Sequence, residues 1–222
     1  EIETATAPRS GASPVSAASQ GSQVAPATGA FTNIFNPAMS ANGLVLGSMS
    51  SRSPDTDSLG GGLQLQELEV QLLSNVDPYF SANLTLAVPS GESLEVEEGY
   101  LAAIPQFAGI SLRAGKIKAA FGKENPLHTH ALPFIEKSLI GGELFGDEGL
   151  NQLSVEGSAL LPLPWYSLFT ITAMDLRGQP LFGSPTADTL GGLAALKNVF
   201  DLTDDATLEG GLASVVGPDP ER

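Results

Sequence analysis

The sequence predicts an all-β protein, and more specifically an antiparallel transmembrane β-barrel with about nine strands visible and one long inward loop. Segments of about 9–13 residues alternate between apolar and polar side chains, which is the period of a strand with two different faces. Glycine and proline, at 25 and 16 residues, separate these segments, and no long window shows the spacing of an amphipathic helix. Short connections alternate with long ones, as in outer-membrane barrels.

The chain divides into an N-terminal arm and a strand-rich remainder. Residues 1–30 consist almost entirely of Ala, Ser, Pro, Thr, Gly and Gln. Such a segment has too little apolar surface to offset the entropy lost on ordering, so we predict a disordered arm. Residues 31–222 are predicted to form the barrel portion.

The strand at 78–89 shows the alternation most clearly. Phe80 and Leu84 fall on one face, whereas Asn83 and Thr85 fall on the other. Applied along the chain, this pattern predicts strands at 42–49, 63–74, 78–89, 93–104, 109–119, 149–161, 165–176, 193–201 and 205–215.

Strand length and aromatic placement favour a membrane barrel over a soluble β-sandwich, which shares the same alternation. Strands of globular proteins average about 5–6 residues, but a tilted strand that crosses a bilayer needs about 9–11. Aromatic residues lie at the strand ends, where barrels carry their interfacial girdles. These residues are Tyr79, Phe80, Tyr100, Phe107, Trp165, Tyr166 and Phe200.

In a barrel the polar faces of the strands line the lumen. The predicted pore-lining residues are Glu67, Glu69, Glu95, Glu97, Arg113, Lys118 and Glu156. Because acidic groups predominate among them, we expect a pore that favours cations. Adjacent strand residues point to opposite faces, so Glu97 and Glu98 are not expected to act together as a carboxylate pair.

Composition excludes several other classes of function. The 222 residues include no cysteine, which rules out disulfides and cysteine-bound zinc. With 25 acidic and 10 basic residues, the net charge is −15, so nucleic acid is not an expected partner. No nucleophile elbow or phosphate-binding glycine loop is present, and we do not expect an enzyme.

Several motifs, taken in order, resemble one family. They are NPAMSANGLVLG (36–47), QELEVQLLSNVDPYFSANLTLA (66–87), LEVEEGYL (94–101), LRAGKIKAAFGKENPLHTHALPF (112–134), LFGDEGL (144–150) and LLPLPWY (160–166). Together they are similar to outer-membrane, porin-like β-barrel proteins of Gram-negative bacteria, known as phosphate-selective-porin-like proteins or zinc-regulated TonB-dependent receptors. The resemblance covers about residues 36–176. It implies a barrel in the outer membrane of a Gram-negative bacterium, in contact with membrane lipid.

Two departures from that family concern the extent of the barrel. Its members are much longer, and they usually end in a strand with a terminal aromatic residue, whereas this chain ends at Arg222. We therefore expect an N-terminal portion of a barrel. Porin-type barrels often form trimers, so a homo-oligomer is also among the expectations.

Residues 119–148 are predicted to form the inward loop. Loops beyond about 12–15 residues are usually functional or disordered, and this one carries too many apolar residues for disorder. We expect it to fold against the barrel interior and narrow the pore. The residues expected at this constriction are Lys123, Glu124, His128, His130 and Glu136.

The two histidines of the chain, His128 and His130, lie two residues apart in this loop. In an extended segment both rings would point to the same side, and imidazole is a common zinc ligand. A nearby carboxylate would complete such a site. The alternatives are histidines that pin the loop to the strands by hydrogen bonds, and an ordinary surface loop with no cofactor.

The predicted function is an outer-membrane, porin-like barrel that passes small hydrophilic or ionic solutes. One alternative is a non-transporting barrel that binds a partner or surface through its long loops. The other is a soluble periplasmic β-sandwich with a binding function.

Overall fold

A computed structural model describes residues 37–49, 62–89, 93–103, 109–135, 137–182 and 190–217. The described residues form one nine-stranded antiparallel sheet, which confirms the predicted all-β class and the number of strands. The strands are β1 (Ala38–Ser48), β2 (Gly62–Asn75), β3 (Phe80–Pro89), β4 (Glu95–Ala103), β5 (Ile110–Lys118), β6 (Asn151–Leu160), β7 (Tyr166–Asp175), β8 (Leu190–Thr203) and β9 (Ala206–Val216). The predicted N-terminal arm, 1–30, lies outside the described residues.

Each strand pairs only with its neighbours in sequence, so the sheet is an up-and-down meander from β1 to β9. Within the described residues, β1 and β9 each pair with one strand, and the sheet is not closed. The brief connections 76–79, 161–165 and 204–205 lie at one end of the strands, and the longest, 119–150, lies at the other. No helix in the described part of the chain is long and apolar enough to cross a bilayer.

The two faces of the sheet have opposite polarity, and burial is inverted relative to a water-soluble sheet. On β7, Thr172 is 1% exposed while its neighbour Ile171 is 57% exposed. On β2, Glu69 is 3% exposed while Leu68 is 44% exposed. We call the side that holds Glu69 and Thr172 the polar face and the opposite side the apolar face.

The polar face is covered by residues 119–150, which we call the covering segment. Three residues within it, Thr129–Ala131, form a 3₁₀ turn close to β1, and Lys123 Nζ lies 3.5 Å from Glu209 Oε2 on β9. Nine strands about 4.8 Å apart would make a flat sheet about 38 Å wide. Residues 122–130 are coiled in turns and cannot bridge that width, so the sheet curves around the segment with its polar face inside.

An apolar cluster anchors the covering segment at the end of the strands that carries the long connections. The helix α1 (Leu139–Phe145) begins at Ser138, whose hydroxyl accepts the N–H of Gly141. Phe145, 4% exposed, packs in one cluster with Leu150, Met174, Phe182 and Leu193, among others. The segment is therefore held to β7 and β8 by apolar burial as well as by polar contacts.

Asn125 ties together the two ends of the covering segment. Its side-chain amide donates to the carbonyls of Ala119 and Leu150, over 2.8 and 3.1 Å. Its carbonyl oxygen accepts the N–H of Leu150 over 2.7 Å. These hydrogen bonds hold the end of β5, where the segment begins, next to the start of β6, where it ends.

The aromatic residues described at strand ends gather mainly where the brief connections lie. Tyr79, Phe80, Trp165 and Tyr166 are all more than a third exposed there. Trp165 packs against Phe200 with ring centroids 5.4 Å apart, and its indole N–H donates to Asn198 over 3.0 Å. Phe107 lies outside the described residues.

Candidate functional site

A β-bulge in β4 places two consecutive glutamates on the polar face. Thr85 pairs with Glu98, but the next residue, Leu86, pairs with Val96, so Glu97 is an extra residue on its strand. Glu97 is 3% exposed and Glu98 is 6% exposed. The expectation that adjacent residues here point to opposite faces is wrong, because the extra residue breaks the alternation.

Lys118 forms a buried ion pair with Glu97 where β4 and β5 separate. The pairing of these two strands stops at Gly99 and Lys116. Beyond that point Lys118 Nζ lies 2.7 Å from Glu97 Oε1, with side chains 2% and 4% exposed. The backbone N–H of Lys118 also donates to Glu98 Oε1, over 3.0 Å.

His128 of the covering segment enters among three buried carboxylates. Its Nε2 lies 3.1 Å from Glu98 Oε2 in a hydrogen bond. Its Nδ1 lies 3.0 Å from Glu97 Oε2 and 3.3 Å from Glu69 Oε2. The imidazole therefore joins β2 and β4 through the segment that covers them.

His130 stacks beside His128 and reaches the same carboxylate of β2. The two rings lie 5.9 Å apart with 11° between their planes. His130 Nδ1 lies 3.3 Å from Glu69 Oε2. A carboxylate oxygen of Glu67 lies within 4.8 Å of a donor atom of each of these two residues. We call Glu67, Glu69, Glu97, Glu98, His128 and His130 together the acidic–histidine cluster.

Three carboxylate oxygens and one imidazole nitrogen of the cluster lie close together without making hydrogen bonds to one another. Glu67 Oε1, Glu69 Oε2, Glu97 Oε2 and His128 Nδ1 are buried, and none has a hydrogen-bond partner. The short separations at Nδ1 therefore reflect charge attraction rather than aligned hydrogen bonds. Buried polar atoms normally have a partner, so these four atoms are candidates for holding one.

Burial by itself lowers the pKa of His128, but the adjacent carboxylates of Glu97 and Glu98 raise it by more, so that it moves from 6.5 to about 10. The imidazole is thus a cation at neutral pH. As a cation it offsets part of the negative charge that three carboxylates concentrate around it.

A second, partly buried ion pair lies further along the polar face. Arg113 Nε and Nη2 both donate to Glu156 Oε1, over 3.0 and 2.5 Å. The guanidinium also lies over the ring of Tyr100, 5.1 Å from its centroid. Thr172 Oγ1 donates to the other oxygen of Glu156 over 3.4 Å. This pair joins β5 to β6 and β7 and is separate from the acidic–histidine cluster.

The remaining predicted site residues lie elsewhere. Glu95 is partly buried on β4 and outside the cluster. Lys123 pairs with Glu209 at the β9 edge, and Glu124 accepts the N–H of Ser138 over 3.1 Å. Glu136 lies outside the described residues.

Sequence reasoning missed residues that complete the cluster. Glu98 was assigned to the wrong face. Asn151 was not singled out, yet its side-chain amide donates to the Glu97 carbonyl over 2.8 Å and holds the bulge. Two consecutive glutamates inside a strand were the one sequence sign of that bulge.

The fold and the cluster together define an all-β protein with a nine-stranded meander and a buried group of carboxylates and histidines. Over 123 residues the chain is 30% identical to an uncharacterized protein of Aquifex aeolicus (strain VF5). That similarity covers 55% of this chain and 26% of the relative, so the chain matches only about a quarter of the relative's length. No family model and no solved structure matches the chain.

Proposed function

We propose that this chain forms part of a transmembrane β-barrel in the outer membrane of a Gram-negative bacterium, and that the barrel passes small hydrophilic or ionic solutes. The observation that carries the proposal is the inverted polarity of the sheet. Charged residues such as Glu69, Glu97, Lys118 and Glu156 are buried on the concave side. Large aliphatic and aromatic residues are exposed on the convex side.

The exposed apolar face extends across neighbouring strands. Exposed large apolar residues on this face are Leu101, Leu112, Leu153, Val155, Phe169, Ile171 and Leu212. Water-soluble proteins rarely expose so large a contiguous apolar surface. Hydrocarbon is the environment in which such a face is stable, and a polar interior is what transmembrane barrels enclose.

Strand dimensions also support a membrane barrel. The strands range from 9 residues in β4 to 14 in β2, and a tilted strand that spans a bilayer needs about 9–11 residues. Aromatic residues at the end with the brief connections correspond in position to an interfacial girdle.

The two outer strands of the sheet require partners in this proposal. Unpaired backbone groups of β1 and β9 would cost several kcal/mol each in hydrocarbon. We propose that further strands, from a longer polypeptide or from another copy of the chain, complete the barrel.

The interior of the proposed barrel is acidic and narrowed by the covering segment. The segment contacts the polar face through His128 and Lys123, and also through the carbonyl of Ile135, which accepts the side-chain amide of Gln66 over 3.0 Å. Solutes would therefore pass between this segment and the acidic wall. Buried glutamates along that wall favour cations over anions.

Replacing Ile171 by arginine tests the membrane face directly. Ile171 lies near the middle of β7 and is 57% exposed. An arginine facing lipid at mid-bilayer costs about 2–4 kcal/mol, whereas a substitution on a soluble surface usually stays within about 0.5 kcal/mol. We expect Ile171→Arg to lower the unfolding free energy by about 2–4 kcal/mol. The measurement is a urea titration of the protein in lipid vesicles.

Lys197→Arg is the matched control, because Lys197 is already a partly exposed cation that pairs with Glu209 over 3.2 Å. It should leave the unfolding midpoint unchanged. An Ile171→Arg variant as stable as the control, and soluble without detergent, would contradict the membrane barrel and favour a periplasmic β-sandwich.

Planar-bilayer recording tests transport. We expect the detergent-purified protein, with the strands that complete its barrel, to give stable conductance steps with a reversal potential on the cation side in a salt gradient. Anion preference would contradict the acidic lumen. Insertion without conductance would contradict the pore and favour a barrel that binds a partner.

A further inference from the structure

From the geometry of the acidic–histidine cluster we infer a binding site for one divalent transition-metal ion, of which Zn²⁺ is the best-suited example. Its ligands are Glu69 Oε2, Glu97 Oε2 and His128 Nδ1. The inference depends on the contacts of the covering segment with β2 and β4, and it does not require that the sheet form a pore.

Both separations between the histidine nitrogen and the two carboxylate oxygens match a coordination sphere, and the three atoms lie within 4.8 Å of one another. Nδ1 of His128 lies 3.0 Å from Glu97 Oε2 and 3.3 Å from Glu69 Oε2. Ligands held at about 2.0–2.1 Å in a tetrahedron around zinc lie about 3.3 Å from one another. The side chains therefore need only small shifts to accept an ion.

The same three atoms are the ones that no hydrogen bond uses. Glu69 and Glu97 are each 3% exposed, and the oxygens that face His128 Nδ1 have no hydrogen-bond partner. Lys118 occupies the other oxygen of Glu97, at 2.7 Å. The two carboxylate oxygens thus keep free lone pairs beside His128 Nδ1, whose proton a metal ion would displace to solvent on binding. This distinguishes the group from an ordinary surface cluster of acidic residues.

The surroundings orient the imidazole as metal sites usually do. His128 Nε2 lies 3.1 Å from Glu98 Oε2, and the other oxygen of Glu98 accepts the Lys118 backbone N–H over 3.0 Å. A carboxylate behind a histidine sets the ring tautomer and raises its basicity toward the metal. With Nε2–H donating to Glu98, Nδ1 is the nitrogen left to bind the ion.

Charge and donor type indicate the class of ion. Four buried carboxylates, from Glu67, Glu69, Glu97 and Glu98, outnumber the two cations beside them, Lys118 and His128. A divalent cation would offset that excess. An imidazole among the ligands favours zinc and similar transition ions over Ca²⁺ or Mg²⁺, which prefer oxygen alone. Glu67 and His130 group around the same Glu69 carboxylate and are the nearest further donors.

The test is a titration of the purified, metal-stripped full chain with Zn²⁺ by calorimetry, in detergent micelles. We expect about one equivalent to bind, with Ca²⁺ and Mg²⁺ much weaker. Glu69→Gln should abolish measurable binding, and Glu98→Gln should weaken it roughly 10–100-fold, as changes behind a ligand do. Glu143→Gln, an exposed site on the same segment, is the matched control and should bind like the unmodified chain.

X-ray absorption at the zinc edge keeps the inference testable if a variant misfolds. We expect nitrogen and oxygen neighbours at about 2.0–2.1 Å with imidazole scattering in the outer shell. A spectrum without imidazole scattering would overturn the assignment. Equally tight zinc binding by Glu69→Gln and by the unmodified chain would also overturn the assignment. The cluster would then be an ion-pair network whose role is to hold the covering segment against the sheet. Neither result depends on conductance, so the metal site and the pore are tested independently of each other.

Discussion

Replacing Lys118 by methionine is expected to lower the unfolding free energy by about 3–5 kcal/mol, because it leaves the buried Oε1 of Glu97 without its cation. Lys118 and Glu97 are almost completely buried, with Nζ and Oε1 2.7 Å apart. Methionine keeps much of the volume of the lysine stem and removes only the charged group. The loss therefore reports the unpaired charge rather than a cavity.

The measurement is equilibrium unfolding in denaturant, followed by the fluorescence of Trp165. Lys116→Met is the matched control on the same strand. Lys116 Nζ donates to the Val96 carbonyl over 2.7 Å at an exposed position, so its loss should cost no more than about 1.5 kcal/mol. If both variants lost the same stability, the buried pair would not have the role assigned to it.

A second large effect is expected from Gly115→Ala. Gly115 has φ +143°, and a methyl group there would lie 2.1 Å from the Gly99 carbonyl oxygen and 2.6 Å from the Tyr100 Cα. Both atoms belong to the backbone of β4 and cannot rotate away. We expect a loss of roughly 3 kcal/mol or more, because the paired strands must move apart or the backbone must remain strained.

Gly142→Ala provides the comparison for that variant. Gly142 lies in α1, and apart from its own helix backbone and chain neighbours no atom lies within 4 Å of an added methyl group. Alanine there should therefore be neutral or stabilising by roughly 0.5–1 kcal/mol. The yield of folded protein and the denaturant midpoint would be compared for the two variants. A Gly115→Ala protein as stable as Gly142→Ala would show that β4 and β5 do not approach as closely as described.

The strands could be predicted because their cause is local. An alternation of period two is visible in any short window, and turn residues mark where each run ends. The helix α1 could not be predicted in this way, because seven residues are too few to establish a helical period. Its stability comes from the burial of Phe145 against β7 and β8, which no local pattern reports.

The acidic–histidine cluster was only partly predictable. His128 and His130 stood out by their rarity, and Glu69 and Glu97 by their place on polar strand faces. Their convergence depends on the bulge at Glu97 and on the docking of the covering segment. Both features arise from contacts between residues about 30 or more positions apart, and such contacts leave no mark in a local window.

The meander order of the sheet has a consequence for how the chain folds. All eight strand pairings join consecutive strands, so much of the sheet can grow hairpin by hairpin with little loop-closure entropy to overcome. Docking of the covering segment is different, because His128 must find Glu69, 59 positions earlier in the chain, and Lys123 must find Glu209, 86 positions later. The hairpins are therefore expected to form early. The charged polar face is expected to be buried only in the last step, when the covering segment docks on the curved sheet.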